Sequence, residues 1–482
     1  MSGLTRREFV AAGSLLLVPG GWALAARSGG DPRLRTLARA CRGPLLVPGD
    51  ARFASVEHGY DERFDGRVPL AVLLAHGEDD VRAAVRWAAS HGVPIAARSG
   101  GHSYAGYSTV AHGLVVDLRM MRGHSVRHAG THVVAGPGVQ LGDLYAALAR
   151  RGLTVPAGTC PSVGLGGLAL GGGMGLASRA LGMTCDRIEA VRIVTADGRA
   201  HTARGHDDLL WASRGGGGGN FGIVTRFTLR TAPARRAAWF TVAWPWAQAS
   251  EALAAWLAFA PDAPDALTSV MTLDSGHNVH ALGQFRGGES ALRRLVRPLT
   301  RVAGGRLGVG EDDWAALQAR WAGCAQLSHA QCHTVGTRPG GTLARALFAG
   351  GSDYLGHRLP SAGREAAIAA LGRRHGGSAA LLFDAYGGAI NRVPPDATAF
   401  VHRNALCSIQ YLAYGPAGGA AKWVRTARRL MAPYVDGEAY QNYIDPDLAH
   451  WRRAYYGSNL ARLEAIKAAV DPHRVFDFRQ AV

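Results

Sequence analysis

The stretch from Arg98 to Gly175 constrains this chain more than any other, because two glycine-dense loops within it each carry one nucleophilic side chain. The first reads R-S-G-G-H-S-Y and comprises Arg98, Ser99, Gly100, Gly101, His102, Ser103 and Tyr104. The second runs from Gly158 to Gly175 as G-T-C-P-S-V-G-L-G-G-L-A-L-G-G-G-M-G, and includes Cys160, Val163, Gly166, Gly167, Gly171 and Gly172. Without a Cβ, glycine reaches positive φ and lets backbone lie close to a ligand, and successive N–H groups form anion-binding nests. One such loop would be weak evidence outside a strand-to-helix context. Two of them point to a bulky, phosphate-bearing ligand such as a dinucleotide.

The flanking pattern supplies that context. Ala71–Ala75 reads as a strand, Glu78–His91 as a helix with Val81, Ala84, Val85 and Ala88 at helical spacing, and Pro94–Ala97 as a strand entering the first loop. Further strands are expected at Leu114–Leu118 and Thr131–Ala135, then a helix through Leu148, then a strand at Ile188–Thr195 closed by an Asp197-Gly198 turn. A third glycine run, R-G-G-G-G-G-N-F-G-I-V-T from Arg214 to Thr225, resumes strand pattern at once. That favours ligand contact by Gly222, Ile223 and Val224 over a flexible linker.

At 482 residues the chain exceeds what one hydrophobic core holds, so two domains or one interrupted domain are expected. The texture changes at Pro233, where Trp239, Phe240, Trp244 and Trp246 arrive together. These aromatics could stack on a sugar or fill a core. Beyond them, helical stretches (249–259, 290–302, 364–373, 419–432) alternate with strands (267–273, 279–285, 380–386, 408–414), which predicts an antiparallel sheet with helices on one face. A last helix carries Leu460, Leu463, Ile466, Lys467 and Val470 and stops before Pro472.

The net charge of +17 would suit nucleic acid, but the basic residues are dispersed and, apart from Lys422 and Lys467, all arginine. They read as a solvated face, and no nucleic-acid partner is expected. The N-terminus has Arg6-Arg7, a short apolar run and Ala23-Leu24-Ala25, which reads as a twin-arginine export signal or an ordinary secretory one. A periplasmic or extracellular location follows, with no membrane span in the mature chain. The six cysteines show no C-x-x-C spacing, so no metal site is expected. Export permits disulfides, with Cys324 and Cys332 as the local pair, while Cys185 and Cys407 read as buried apolar residues.

The two loops together resemble the berberine-bridge-enzyme-like FAD-linked oxidases, a branch of the vanillyl-alcohol-oxidase superfamily. The resemblance implies FAD bound twice covalently, His102 to the flavin 8α-methyl and Cys160 to its C6 position. It also implies an α+β fold, with a two-part PCMH-type FAD-binding domain over 61–232 and a substrate domain over 233–450. A leader at 1–25 and an N-terminal segment at 26–60 come first, and a tail at 451–482 returns to the FAD domain with Tyr456 and Asn459 near the flavin.

Y-Q-N-Y-I-D at 440–445 is similar to the family signature whose second tyrosine is the general base, here Tyr443. A tyrosine has an ordinary pKa of about 10, so the site is expected to favour its phenolate through positive charge or hydrogen bonds. In the oligosaccharide-oxidising members an aspartate assists. Asp384 is the candidate, with a solvated strand-end carboxylate as the alternative. Tyr104 corresponds to a family tyrosine beside the substrate, or else packs in the core. Arg392 stands by rough register where the alkaloid-cyclising members carry a glutamate, and Leu168 where many relatives have a histidine near the flavin pyrimidine. Val163 occupies a position where valine accompanies oxidases. The implied function is hydride transfer from a hydroxyl-bearing small molecule, a carbohydrate or secondary-metabolite alcohol, to the flavin of a monomeric enzyme that reduces oxygen to hydrogen peroxide. A dehydrogenase with another acceptor, and a flavin-binding protein without turnover, are the alternatives.

Overall fold

The helix expected over Glu78–His91 forms over that range in a computed structural model of the chain, which describes residues 31–482. The expected leader at 1–25, with Arg6 and Arg7, lies outside the described residues. Glu78, Asp79 and Asp80 occupy the first turn, where the helix dipole favours negative charge, and Gly92 ends the helix at φ 62°. Its apolar stripe covers a sheet in the order Leu45–Leu46, Ala71–Leu74, Leu114–Asp117, Ile95–Arg98. The last three strands run parallel.

A second, antiparallel sheet follows in the order His124–Arg127, His132–Ala135, Ile223–Arg230, Ile188–Val194, Ala200–Arg204. Val194 and Ile223 from this sheet join the core of the first. These two sheets carry the glycine loops between them.

From Arg236 onward the chain builds a seven-stranded antiparallel sheet. Its order is Arg306–Asp313, Arg236–Trp244, Val279–Phe285, Leu267–Asp274, Ala379–Ala385, Cys407–Tyr414, Phe348–Leu355. Helices Ala249–Phe259, Ser361–Gly372 and Ala417–Met431 bury their apolar faces on one side of it. Strand side chains alternate, so Leu267, Met271, Leu273, Leu381, Phe383, Ile409 and Tyr411 enter that core. Their neighbours Thr268, Val270, Thr272, Leu382, Asp384, Gln410 and Leu412 turn to the opposite face, which walls a cavity. Together the layers make the α+β architecture that the sequence predicts.

Two expectations are corrected. The single helix over 290–302 is two short ones, Glu289–Leu295 and Arg297–Thr300, because Pro298 has no N–H to bond back and its ring crowds the preceding turn. The strands Arg306–Asp313 and Phe348–Leu355 complete the sheet although glycines and acidic residues dilute their apolar alternation.

The tail returns to the glycine-bearing region. On the helix Leu460–Val470, Lys467 is buried and its Nζ donates to the carbonyls of Asn220 and Phe476, 2.7 and 2.6 Å away, and to Asp471 Oδ2 at 2.6 Å. This one ammonium joins the third glycine run to the end of the tail.

Arg98, one of the residues expected at the cofactor, anchors the strand that delivers the first loop. It pairs across the parallel register with Asp117, Nε to Oδ2 at 2.8 Å, and the two side chains are 1% and 0% exposed. Arg98 also donates to the carbonyls of Val56 and Glu57. Burial alone would raise the Asp117 carboxyl, but the guanidiniums of Arg119 and Arg98 hold it below the ordinary value. Asp117→Ala leaves a buried cation unpaired and is expected to cost about 3–5 kcal/mol. The expected sign is a lower urea midpoint; an unchanged midpoint would remove the pair from the supports of the loop.

Candidate active site

A cavity of about 1100 Å³ lies where the three sheets meet, at the upper end of the volumes small-molecule sites have. Its walls come from both histidine- and cysteine-bearing loops, the third glycine run, the open face of the seven-stranded sheet, and the segment 440–444.

The two loops touch through backbone. A Cβ on Gly100 would stand 2.8 Å from the carbonyl oxygen of Ser162 and still closer to the Gly164 nitrogen. No side chain fits there, which is the local reason for glycine. The contact brings His102 Nε2 to 3.0 Å from Ser162 Oγ, two residues past Cys160. The His102 ring stacks on Tyr60, with centroids 4.1 Å apart. Burial pushes the His102 pKa down to about 4, so its imidazole is neutral near neutral pH. Cys160 is exposed toward the cavity, and its enclosed position raises the thiol pKa.

At the substrate-domain wall four polar side chains gather. Tyr104 and Tyr443 stack with centroids 5.5 Å apart. Gln410 Nε2 donates to the Tyr104 hydroxyl at 2.7 Å. Strand parity turns Asp384 into the cavity, where burial pushes its carboxyl up to about 6 and a long 3.5 Å contact from Ser408 Oγ pulls weakly the other way. Among the described residues the environment expected to favour a Tyr443 phenolate is not found. Burial and the negative charge of Asp384 push its pKa well above 10, and the other groups whose charge reaches it are Tyr104, Tyr440 and Tyr386, none of them cationic.

The motif around Tyr443 is positioned by its neighbours. The Tyr440 hydroxyl accepts from Gly173 N at 2.7 Å, and Asn442 Nδ2 donates to the Leu168 carbonyl at 2.9 Å. Those two bonds dock the motif on the second glycine loop and leave Tyr443 facing the cavity.

Ser99, Gly100, Gly101, His102, Ser103, Tyr104, Cys160, Val163, Gly166, Gly167, Gly175, Gly222, Ile223, Val224, Tyr456, Asp384 and Tyr443 all line the cavity, as does Leu168. Arg98, Gly171, Gly172 and Asn459, also expected at the cofactor, are not among the residues that line the cavity. Gly171 abuts the Asn442 side chain, and Gly172 abuts Phe400 and Tyr440. Asn459 Nδ2 donates to the carbonyls of Pro395 and Thr398 at 2.7 and 3.1 Å, holding a loop. Arg392 is on the surface, paired with Asp265 at 2.5 Å. Sequence reasoning missed Tyr60, Gln410, Phe348, Trp321 and Gln441, which also line the cavity. For Gln410 the signal was a polar side chain on the face opposite a strand's apolar stripe; Tyr60 carries none.

The residues fit a flavin dinucleotide. Nothing stands within 4 Å of the place a Cβ would take on Gly167, and the nearest atom to the same place on Gly218 is 3.8 Å away. That open strip of bare backbone suits a flat, bulky group. The Gln441 carbonyl oxygen Oε1 is buried without a partner, an acceptor available to a ring N–H.

Comparison with known proteins agrees. An FAD binding domain model matches residues 69–204, and a berberine and berberine-like model matches residues 439–482. The FAD-linked oxidoreductase YgaK of Bacillus subtilis (strain 168) is 32% identical over 428 residues, 86% of this chain and 91% of its own. The chain belongs to the berberine-bridge-enzyme-like family. Among solved members, wild-type BBE-like 1 of Physcomitrella patens superposes with a TM-score of 0.88 at 31% identity, covering 94% of this chain and 99% of its own. The xylooligosaccharide oxidase from Myceliophthora thermophila C1, in complex with xylobiose, gives a TM-score of 0.83 at 27% identity over 93% of this chain and 98% of its own. This berberine-bridge-enzyme-like chain is an FAD-dependent oxidoreductase.

Because the loops meet through bare backbone, Gly100→Ala is expected to part them and to yield protein with under about a tenth of the wild-type flavin, since overpacking a tight contact forces backbone shifts. Flavin absorbance per chain reads the outcome, and a full complement in the variant would mean that the contact does not shape the cofactor site.

Proposed function

We propose that this enzyme oxidises a CH–OH group of a carbohydrate-like small molecule, with FAD held by both His102 and Cys160 and with oxygen as the final acceptor. The observation that carries this reading is the convergence of Asp384 and Tyr443 on the wall lined by the Tyr104–Gln410 pair, in a cavity that also holds the two nucleophiles. The polar lining from Thr268, Thr272 and Gln410 suits a hydroxylated substrate, and one relative of the same fold is an oxidase of xylooligosaccharides. When bound, FAD supplies the two-electron acceptor for the hydride and passes the pair to oxygen. Overall an alcohol and oxygen become a carbonyl compound and hydrogen peroxide.

The chain's own residues handle the proton and the orientation. Tyr443 receives the hydroxyl proton and relays it to Asp384, the one group of this pair whose pKa lies near neutrality. A relay removes the need for a standing phenolate. Tyr104, fixed by Gln410 and by its stack on Tyr443, orients the substrate. His102 is a neutral imidazole, the state a tethering nucleophile needs, and Cys160 faces the cavity with a thiol that burial pushes up and that must lose its proton to attack. Val163, a small side chain in the wall, leaves an approach for oxygen, as the family resemblance implies. Export through the twin-arginine route belongs to the same reading: the chain folds around its cofactor first, and the Cys324–Cys332 disulfide suits an oxidising compartment.

Intact mass of the native protein tests tether and export at once. It should equal the chain without residues 1–25 plus one FAD, and acid-precipitated protein should be yellow. His102→Ala and Cys160→Ala should each keep the colour and the double variant lose it; a colourless wild-type pellet would refute covalent attachment.

Tyr443→Phe should slow anaerobic flavin bleaching by substrate by about 100-fold or more. Protonated Asp384 cannot accept a proton, so wild-type kcat/KM should fall as pH drops below about 6, the value of that carboxyl. Asp384→Asn should remove this acid limb. An unaltered limb in Asp384→Asn, or wild-type bleaching in Tyr443→Phe, would overturn the relay, and turnover with a dye but without peroxide would overturn the oxygen assignment.

A further inference from the structure

Outside the cavity, three metal-ligating side chains from two distant parts of the chain converge. Asp143 lies in the first turn of the helix Leu141–Ala149. His329 and His333 lie on the excursion between the helix Trp314–Trp321 and the strand Phe348–Leu355, spaced H-x-x-x-H. The Cys324–Cys332 disulfide closes the segment that carries them. Asp143 Oδ1 is 2.9 Å from His329 Nε2 and 3.1 Å from His333 Nε2, and the three ligand atoms all lie within 4.8 Å of one another.

The hydrogen bonds around the triangle are those of a ligand set. His333 Nδ1 is 3.2 Å from the Ala330 carbonyl, which can only accept, so Nδ1 carries a proton and the neutral ring has its lone pair on Nε2. A lone pair and a carboxylate oxygen then face each other, which is repulsive unless positive charge sits between them. A proton or a metal ion can supply it. Arg338 binds the other carboxylate oxygen, Oδ2, at 2.5 Å; it leaves Oδ1 to the two imidazoles and fixes the carboxylate as an outer hydrogen-bond partner does.

We propose that Asp143, His329 and His333 bind a divalent transition-metal ion of the zinc class at a site separate from the flavin cavity. Two imidazoles and one carboxylate favour zinc and its first-row neighbours over magnesium or calcium, which prefer all-oxygen sets. Ligands at about 2.0–2.1 Å on a tetrahedral ion stand about 3.3 Å apart, so the two separations from Asp143 Oδ1, 2.9 and 3.1 Å, need to open by only a few tenths of an ångström, while the two imidazole nitrogens, within 4.8 Å of each other, settle to the same spacing. His329 is exposed and His333 buried, leaving the solvent side for a water as fourth ligand. The same excursion contributes Ala322, Leu343 and Ala344 to the cavity wall, next to Trp321 at the end of the preceding helix. A bound ion therefore pins one edge of the active-site cavity to the FAD-binding half.

The test is zinc retention by the flavin-loaded enzyme. Chelator-treated protein is equilibrated with zinc at neutral pH and desalted, and metal per chain is measured by atomic emission. Wild type is expected to retain about one zinc, with a raised thermal midpoint, and His329→Ala to bind at least about tenfold more weakly with its flavin content unchanged. Asp143→Asn keeps a hydrogen-bonding side chain of the same size and should lose zinc likewise; if it fails to fold, the exposed His329 variant decides alone. Equal zinc in wild type and His329→Ala, whether one per chain or none, would overturn the proposal and leave the cluster as an ion-pair latch.

Discussion

The approach of two glycine loops through bare backbone is the contact on which the rest of the site depends. Gly100 and Gly164 exclude any side chain at the crossing, and from that crossing His102 and Cys160 reach one cavity although nearly sixty residues separate them along the chain. The loops are held from behind. The buried Arg98–Asp117 pair ties the strand that ends in the first loop to its parallel neighbour, and Asn442 with Tyr440 ties the second loop to the motif carrying Tyr443. The side chains that look like ligands to the cofactor and the side chains that keep those ligands in place are therefore different sets.

The substrate wall obeys another rule, the alternation of side chains along a strand. Helices cover one face of the seven-stranded sheet and claim every second residue for the core. The residues between are free to be polar because they look into the cavity, and Asp384 and Gln410 are such residues. Burial against that apolar sheet is also what shifts the Asp384 carboxyl toward neutrality. Fold and chemistry meet here in one constraint: the sheet that supplies this carboxyl also tunes it.

Much of this was legible beforehand. Glycine spacing marked both loops, helical periodicity marked Glu78–His91 and Ala249–Phe259, and the family resemblance singled out Tyr443. Other features were hidden for physical reasons. Strand Arg306–Asp313 has glycine and acidic residues where alternation needs apolar ones, since it is an edge strand with little to bury. Asn459 and Arg98 carry polar groups beside cofactor motifs, and only coordinates reveal that those groups point to carbonyls and a carboxylate instead. Tyr60 stacks on His102 from a segment with no pattern of its own. The Asp143 cluster joins positions almost two hundred residues apart, a proximity that no local spacing encodes.

The Lys467 ammonium, buried between Asn220 and Phe476, makes one wall of the cavity depend on the end of the chain. Translation delivers the glycine run at 215–219 long before the helix that braces it. A nascent chain stopped short of Lys467 leaves the Asn220 carbonyl without its donor and this part of the cofactor wall without its brace. The brace for this part of the cavity wall is thus among the last pieces of the chain to be made.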